Sequence, residues 1–285
     1  MYFCTIGILN KILPAFLKPI SRDIGFSFNS LIYKIKSNGK NIQVSPIFIL
    51  GNQKSGTSVI AALLGEYTSK KTAIDLFYSG FKYSLFQKWK NREISTSKFV
   101  HENKIEFSCF IIKEPHFSVF YQELKEEFPQ SEFVMIVRNP FDNIRSILDR
   151  LNIEGNKKEL VKQDSDKIFH SWNLLFNNNW IEGNKKQYIE VLSERWNIIC
   201  NSYLENKNNI TLVKYEDFLT DKEGTIKNLS EKLNLKNTSD ISQLLNKQFQ
   251  PKGKQQKVDV KEFFGEKNYL RIKNICGQNM KKIGY

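Results

Sequence analysis

Four short runs of nearly unbroken apolar residues constrain the fold of this chain more than any other feature: PIFIL (46–50), SCFIIK (108–113), EFVMIVR (132–138) and ITLVKY (210–215). Each has strand length and is rich in β-branched and aromatic side chains. Helix-length amphipathic segments follow them, over Thr57–Glu66, near 117–127, over Pro140–Leu151 and around 221–233, and residues 160–206 read as mostly helical. Strands without polar alternation belong in a sheet covered on both faces. The expected fold is therefore α/β, a three-layer αβα arrangement around a central parallel sheet. A single domain over 1–285 is expected, with an N-terminal helical or irregular segment (1–45), a core (46–235) and a C-terminal helical extension (236–285).

Composition narrows the classes of function. The chain carries 22 Phe, 11 Tyr and 4 Trp, enough bulky apolar surface for a packed globule. Its formal charge of +13 is compatible with an anionic ligand, an acidic polymer or nucleic acid, but 36 of the 43 basic residues are Lys, which reads as a drift across the whole surface. Each of the seven arginines is correspondingly more informative, and three of them lie between 138 and 150. No DNA-reading helix, zinc module or RNA-binding aromatic motif accompanies the charge, so no nucleic-acid partner is expected. Cys4, Cys109, Cys200 and Cys276 show no metal or disulfide spacing, which points to a reducing cytoplasm and no metal. Lys11, Pro14 and Lys18 interrupt the apolar start, leaving no stretch near the ~20 residues that span a bilayer. A packed or surface-lying amphipathic segment is expected there, with at most weak peripheral membrane association.

In doubly covered parallel sheets, ligands bind beyond the carboxyl ends of the strands. That rule gathers four groups on one rim: the loop GNQKSGTS (51–58), Lys113–His116, Arg138, and Tyr215 with Glu216. The loop is close to the phosphate-cradling pattern of Gly, four residues, Gly, Lys and Ser or Thr, but Thr57 stands where the lysine belongs and Lys54 lies three positions early. Backbone N–H groups from Ser55 to Ser58 and the positive end of the following helix would still face an anion. In RNPFDNIRS (138–146), Arg138 ends a strand, Asn139 and Pro140 open a helix, and Ser146 follows about two turns on.

These two stretches resemble the sulfotransferases that use 3′-phosphoadenosine 5′-phosphosulfate (PAPS), particularly the bacterial and carbohydrate-directed branch. The 5′-phosphosulfate loop of that family reads PKSGTT or RSGTS, against QKSGTS here. Its 3′-phosphate motif of Arg, Asp or Asn, Pro, any residue, Asp, three residues and Ser is matched by Arg138, Asn139, Pro140, Asp142 and Ser146. LVKYEDFLTDKEG (212–224) is similar to the family's Tyr-Glu-Asp strand end, and ICGQNMKKIGY to its closing helix; order and spacing agree over about 46–235. The resemblance implies a P-loop NTPase-like sulfotransferase fold and PAPS as co-substrate without a metal. Lys54, Ser55, Gly56, Thr57 and Ser58 would bind the phosphosulfate, Arg138 and Ser146 the 3′-phosphate, with Tyr215 near the cofactor. Lys54 would also steady charge developing on the leaving phosphate.

The acceptor, a small-molecule or glycan hydroxyl or an amine, needs a base. His116 and Glu114 in KEPHF are the first candidates, with Glu66 and Asp75 as acidic alternatives; equally, Lys113 and Glu114 can form a rim ion pair while His116 caps a helix. Lys252 and Lys254 around Gly253 either close over the 3′-phosphate or form a solvated loop. Trp172, Trp180 and Trp196 read as core or helix-packing residues, and the polar-aromatic stretch 67–107 as an irregular region that helps form the acceptor pocket. A P-loop kinase or nucleotide hydrolase with a degenerate lysine is the rival reading.

Overall fold

The computed structural model of the chain describes residues 33–76, 80–166, 168, 172–176, 187–247 and 259–285. His170, Trp180, the Lys252–Gly253–Lys254 stretch and the start of the chain through residue 32 lie outside them. The chain separates into two compact units, Gln43–Leu76 with Cys109–Tyr285, and Met1–Ile42 with Phe77–Ser108.

The larger unit is built on five parallel strands in the order β2-β3-β1-β4-β5. They are β1 (Ile47–Gly51), β2 (Thr72–Ile74), β3 (Ile111–Lys113), β4 (Glu132–Val137) and β5 (Ile210–Lys214). The helices are α1 (Thr57–Thr68), α2 (Tyr121–Glu127), α3 (Pro140–Leu151), α4 (Tyr188–Glu205), α5 (Tyr215–Thr220), α6 (Lys222–Lys232) and α7 (Val260–Ile283), with one-turn helices at Lys162–Ser165 and Asn173–Phe176. Successive strand residues face opposite sides, and both sides are covered. Ile47, Ile49, Val134 and Ile136 pack with Ile60, Leu63 and Leu64 of α1 and with Ile226 and Leu229 of α6. Phe48 and Phe133 point the other way, stacked with their rings 5.1 Å apart and meeting Phe117, Tyr121 and Phe128. This double burial is why the sequence shows apolar runs where a half-solvated sheet would show alternation.

The expected strands are present, with adjusted ends. β3 begins at Ile111 and not at Ser108, because Lys104–Phe107 is helical and Ser108 caps it. The helix expected near 117–127 is two pieces, a 3₁₀ turn at Pro115–Val119 and then α2. Tyr215 opens α5 where the sequence placed it at the end of a strand. The stretch 67–107 is more regular than expected: it supplies β2 and three helices, Gly80–Lys90, Thr96–Glu102 and Lys104–Phe107. Its aromatics form the core of the smaller unit, where Trp89 stacks on Phe99 at 4.3 Å and Phe107 meets Phe99 edge-on. Buried Lys82 donates there to Asn103 and Glu106 and lies over the Tyr33 ring.

Strand β1 sits between β3 and β4, so the chain leaves it at the point where successive crossovers diverge, the usual ligand crevice of an open α/β sheet. The two strands run so close at the rim that Gly51, paired with Ile136 in the register, leaves no room for a side chain. A Cβ there would lie 2.3 Å from the Ile136 carbonyl oxygen, at a φ of 140° that L residues rarely adopt. Replacing Gly51 with Ala should therefore lower unfolding free energy by about 3 kcal/mol, from overpacking plus backbone strain, measurable by urea denaturation. A loss below about 0.5 kcal/mol would show that the rim relaxes freely.

Candidate functional site

The loop after β1 turns through two left-handed residues, Lys54 (φ 66°) and Gly56 (φ 86°). Gly56 is the N-cap of α1 and brings no side chain to satisfy the first helical turn. It is also the floor of an aromatic contact, since a Cβ there would sit 2.2 Å from a ring carbon of Tyr215. Ser118 pins the start of the loop: its hydroxyl accepts from the Gly51 N–H at 2.7 Å and donates to the Gly51 carbonyl at 3.1 Å.

Behind the loop runs a buried polar network centred on Asn143, in the first turns of α3. Its amide nitrogen donates to the Gln53 carbonyl (2.8 Å) and the Ser55 hydroxyl (3.0 Å), and its amide oxygen accepts from Asn52 (2.8 Å). Arg195 of α4 reaches two of these three loop residues, donating from Nε to the Asn52 amide oxygen (3.2 Å) and from its terminal nitrogen to the Gln53 amide oxygen (3.3 Å). Burial pushes the Arg195 guanidinium down to about 10, and Glu114 opposes the fall. Neither Asn143 nor Arg195 was singled out in the sequence. The available signals were the rarity of arginine and an asparagine one turn beyond Asn139.

Lys54 is half-buried, and its ammonium is held below the usual lysine range by burial first, then by Arg150, Arg138 and Lys113, with Asp149 acting in the opposite direction. Arg138, just past β4, crosses to the loop: it donates to the Lys54 carbonyl at 3.0 Å and lies 5.0 Å from the centre of the Tyr215 ring. Buried Trp196 fixes the Arg138 backbone by donating from Nε1 to its carbonyl at 2.9 Å, in keeping with a packing role. On α3, Asn139 caps the helix by accepting from the Phe141 N–H, and Pro140 occupies the first turn, as the sequence predicts. Half-buried Ser146 follows Asn143 by three residues and precedes Arg150 by four, so the three share a helical face.

The candidate bases lie at the ends of β2 and β3. Lys113 pairs with Asp75 and not with Glu114. Asp75 adopts a left-handed conformation, its N–H donates to the Lys113 carbonyl at 3.1 Å, and its side chain is 46% exposed. Glu114 is buried, and its two oxygens accept from the Leu76 N–H (2.9 Å) and the His116 N–H (3.1 Å), so Glu114 and not His116 is the residue that caps a helix here. Burial and the neighbouring Asp75 push the Glu114 carboxyl up to about 7, against Lys113 and the two backbone donors. His116 is equally buried, within 3.2–3.3 Å of the Gln53 side-chain nitrogen, and burial, Arg195 and Lys113 hold its imidazole well below its usual range, hence neutral. Glu66 is exposed near the far end of α1, ten residues and roughly 15 Å from Gly56 at the helical rise. Among the described residues, no group of three or more His, Cys, Asp or Glu side chains is placed to hold a metal ion, and no helix is long and apolar enough to cross a membrane.

A family model described as the sulfotransferase family matches residues 66–240, more than half of the chain. No curated protein sequence matches significantly. Among solved structures, the chain is similar to the sulfotransferase STF9 from Mycobacterium avium, with 12% identity, TM-score 0.53, and 84% of this chain and 77% of that one covered. It is also similar to STF1 from Mycobacterium tuberculosis H37Rv (12% identity, TM-score 0.51, 88% and 80% covered) and to mouse sulfotransferase SULT7A1 complexed with PAP (14%, 0.50, 86% and 88%). At these identities the likeness concerns the fold.

Asn143 holds three residues of the loop from outside it. Replacing Asn143 with Ala strands the Asn52 amide and the Gln53 carbonyl in a dry site, and should cost about 2–4 kcal/mol in chemical denaturation. Asn143→Asp keeps the size but loses both donated bonds, so a variant as stable as the parent would show that the network is not a support.

Proposed function

The chain belongs to the sulfotransferase family, and from that premise we propose that it moves a sulfuryl group from PAPS to a hydroxyl, or an amine, of a carbohydrate or small-molecule acceptor. The observation that carries this reading is the convergence of cations on one loop. Arg150, Arg138 and Lys113 all bear on the Lys54 ammonium near the start of α1, with Asp149 opposing them and Lys113 paired with Asp75, and a polyanion among these groups relieves their repulsion. The residues fit a donor with two phosphate groups. Gly51 and Gly56 let the Ile136 backbone and the Tyr215 ring close against the loop, and Arg138 with Ser146 offers a second anion contact from another strand and helix. The mouse relative bound to PAP supports the same nucleotide class.

PAPS supplies a sulfur bonded to a phosphate oxygen that leaves as adenosine 3′,5′-bisphosphate. The backbone N–H groups of Ser55 to Ser58 and the α1 dipole hold the 5′ end, and Lys54 meets the charge that grows on the leaving oxygen. Fixed cations suffice for this because a sulfuryl group carries less charge than a phosphoryl group, so the reading is metal-independent, in-line transfer. As the acceptor oxygen bonds to sulfur and the sulfur–phosphate bond breaks, the acceptor's proton passes to a carboxylate. The reading gives that role to Asp75, the solvent-facing member of the Asp75–Lys113–Glu114 cluster. Glu114 holds the Leu76 and His116 backbones, and neutral His116 backs Gln53 of the loop. The buried thiols of Cys200 and Cys276, the latter donating to the Ser193 carbonyl, suit a reducing, cytoplasmic setting.

Calorimetric titration tests the donor. Adenosine 3′,5′-bisphosphate should bind at least about tenfold more tightly than ATP with Mg²⁺, a difference near 1.4 kcal/mol; the reverse order sinks the reading in favour of a degenerate kinase.

A pair of variants assigns the base. Asp75→Asn should lower turnover by about 10²–10⁴-fold at every pH, whereas Glu114→Gln should retain most of it. A base must be ionised, so if Glu114 served instead, turnover would rise with pH through about 7 and that limb would vanish in Glu114→Gln while Asp75→Asn stayed active.

A further inference from the structure

The last residues of α7 and the Tyr285 beyond it are tied to the Arg138 segment by a chain of contacts that the transfer reaction itself does not require. Gly284 ends the helix in a left-handed conformation, and its carbonyl accepts from Lys214 Nζ at 2.8 Å. The Lys214 ammonium also lies 5.1 Å from the centre of the Tyr285 ring. The Tyr285 hydroxyl donates to one oxygen of Glu216 at 2.7 Å, and the other oxygen of Glu216 accepts from the Asn139 N–H at 2.8 Å. Asn139 is the N-cap of α3 and follows Arg138 directly. One carboxylate thus joins Tyr285 to the backbone that aims Arg138.

Burial and the Glu216 carboxylate push the Tyr285 phenol above its ordinary range, so it remains a donor throughout neutral pH. A second contact belongs to the same device. Phe141, in the first turn of α3, stacks on Tyr269 of α7 with ring centres 4.8 Å apart and meets Phe264 edge-on. The start of α3 is therefore held from α7 on its apolar side and through Glu216 on its polar side. Glu216 has both oxygens engaged by donors, so an amide in its place must turn an NH₂ toward one of them.

We propose that Tyr285 is a positioning residue for 3′-phosphate recognition, acting through Glu216 and the Asn139 N–H to fix the backbone from which Arg138 reaches the nucleotide. The inference rests on the PAPS reading, so its test must separate the two. Binding of adenosine 3′,5′-bisphosphate and of 5′-AMP is measured by calorimetry for the parent, Tyr285→Phe, Glu216→Gln, Arg138→Ala and the double variant Tyr285→Phe/Arg138→Ala. Tyr285→Phe and Glu216→Gln should each weaken the bisphosphate about fivefold to tenfold, the scale of a hydrogen bond to a charged group, and leave 5′-AMP within about twofold. The double variant should bind the bisphosphate no more weakly than Arg138→Ala alone, because the loss is transmitted through Arg138. A merely structural role would lower both nucleotides together. Equal losses for both nucleotides, additive losses in the double variant, or an unchanged bisphosphate affinity in Tyr285→Phe overturn the positioning role while leaving the donor reading intact. If Arg138→Ala binds the bisphosphate like the parent, the 3′-phosphate site itself is misplaced and both fall.

Discussion

The side-chain amide of Asn143 is the joint on which the rest of the site depends. It belongs to the helix after β4, yet it is hydrogen-bonded to the loop after β1 at Gln53, Ser55 and Asn52. Two segments that would otherwise be independent neighbours across a strand pair become one rigid body. The proposed donor, held at two phosphates, would need such rigidity, because the separation of the two contacts would select the nucleotide before any chemistry starts. Buried polar networks are costly if incomplete, and this one is closed from behind by Arg195, which donates to the remaining oxygens of Asn52 and Gln53.

Moving a lysine three positions within the loop has a physical meaning in that frame. Thr57 is buried at the start of α1, against the space above Gly51, whereas Lys54 sits at a left-handed turn with its side chain half in solvent. Burial first, then Arg150, Arg138 and Lys113, hold the ammonium below its usual range, with Asp149 opposing them. Arg138 contributes in the same way while donating to the Lys54 carbonyl, which links the two cationic groups through the backbone of the loop they serve.

The strand runs were legible because they are local. Continuous apolar runs report burial on both sheet faces, and glycines report places where backbone must approach backbone, as Gly51 does toward Ile136. What was not legible arises from distant pairings. β2 is three residues of modest hydrophobicity, and it is a strand because Thr72–Ile74 finds β3 beside it. The Trp89–Phe99 stack turned a polar-aromatic stretch into the core of a helical unit, which no period in the sequence announces. Lys113 and Glu114 are adjacent in the chain, and an ion pair between them was one of two readings; at the end of β3 their side chains diverge, one toward Asp75 and the other toward the Leu76 and His116 backbones.

The scarcity of arginine in a lysine-rich chain has a final consequence at this site. Three of the seven arginines, Arg138, Arg150 and Arg195, act on or behind the loop. A buried ammonium loses its charge more readily than a buried guanidinium, and this chain shows both cases: Lys82, in the smaller unit, is pushed to about 8, while Arg195, also buried, starts higher and is pushed to about 10. A lysine at 195 would begin from a lower value, sit close to its titration range, and carry a single donor atom to serve two acceptors on different residues. The guanidinium stays cationic at neutral pH and spans Asn52 and Gln53 at once, so the loop is supported by a charge that does not switch off.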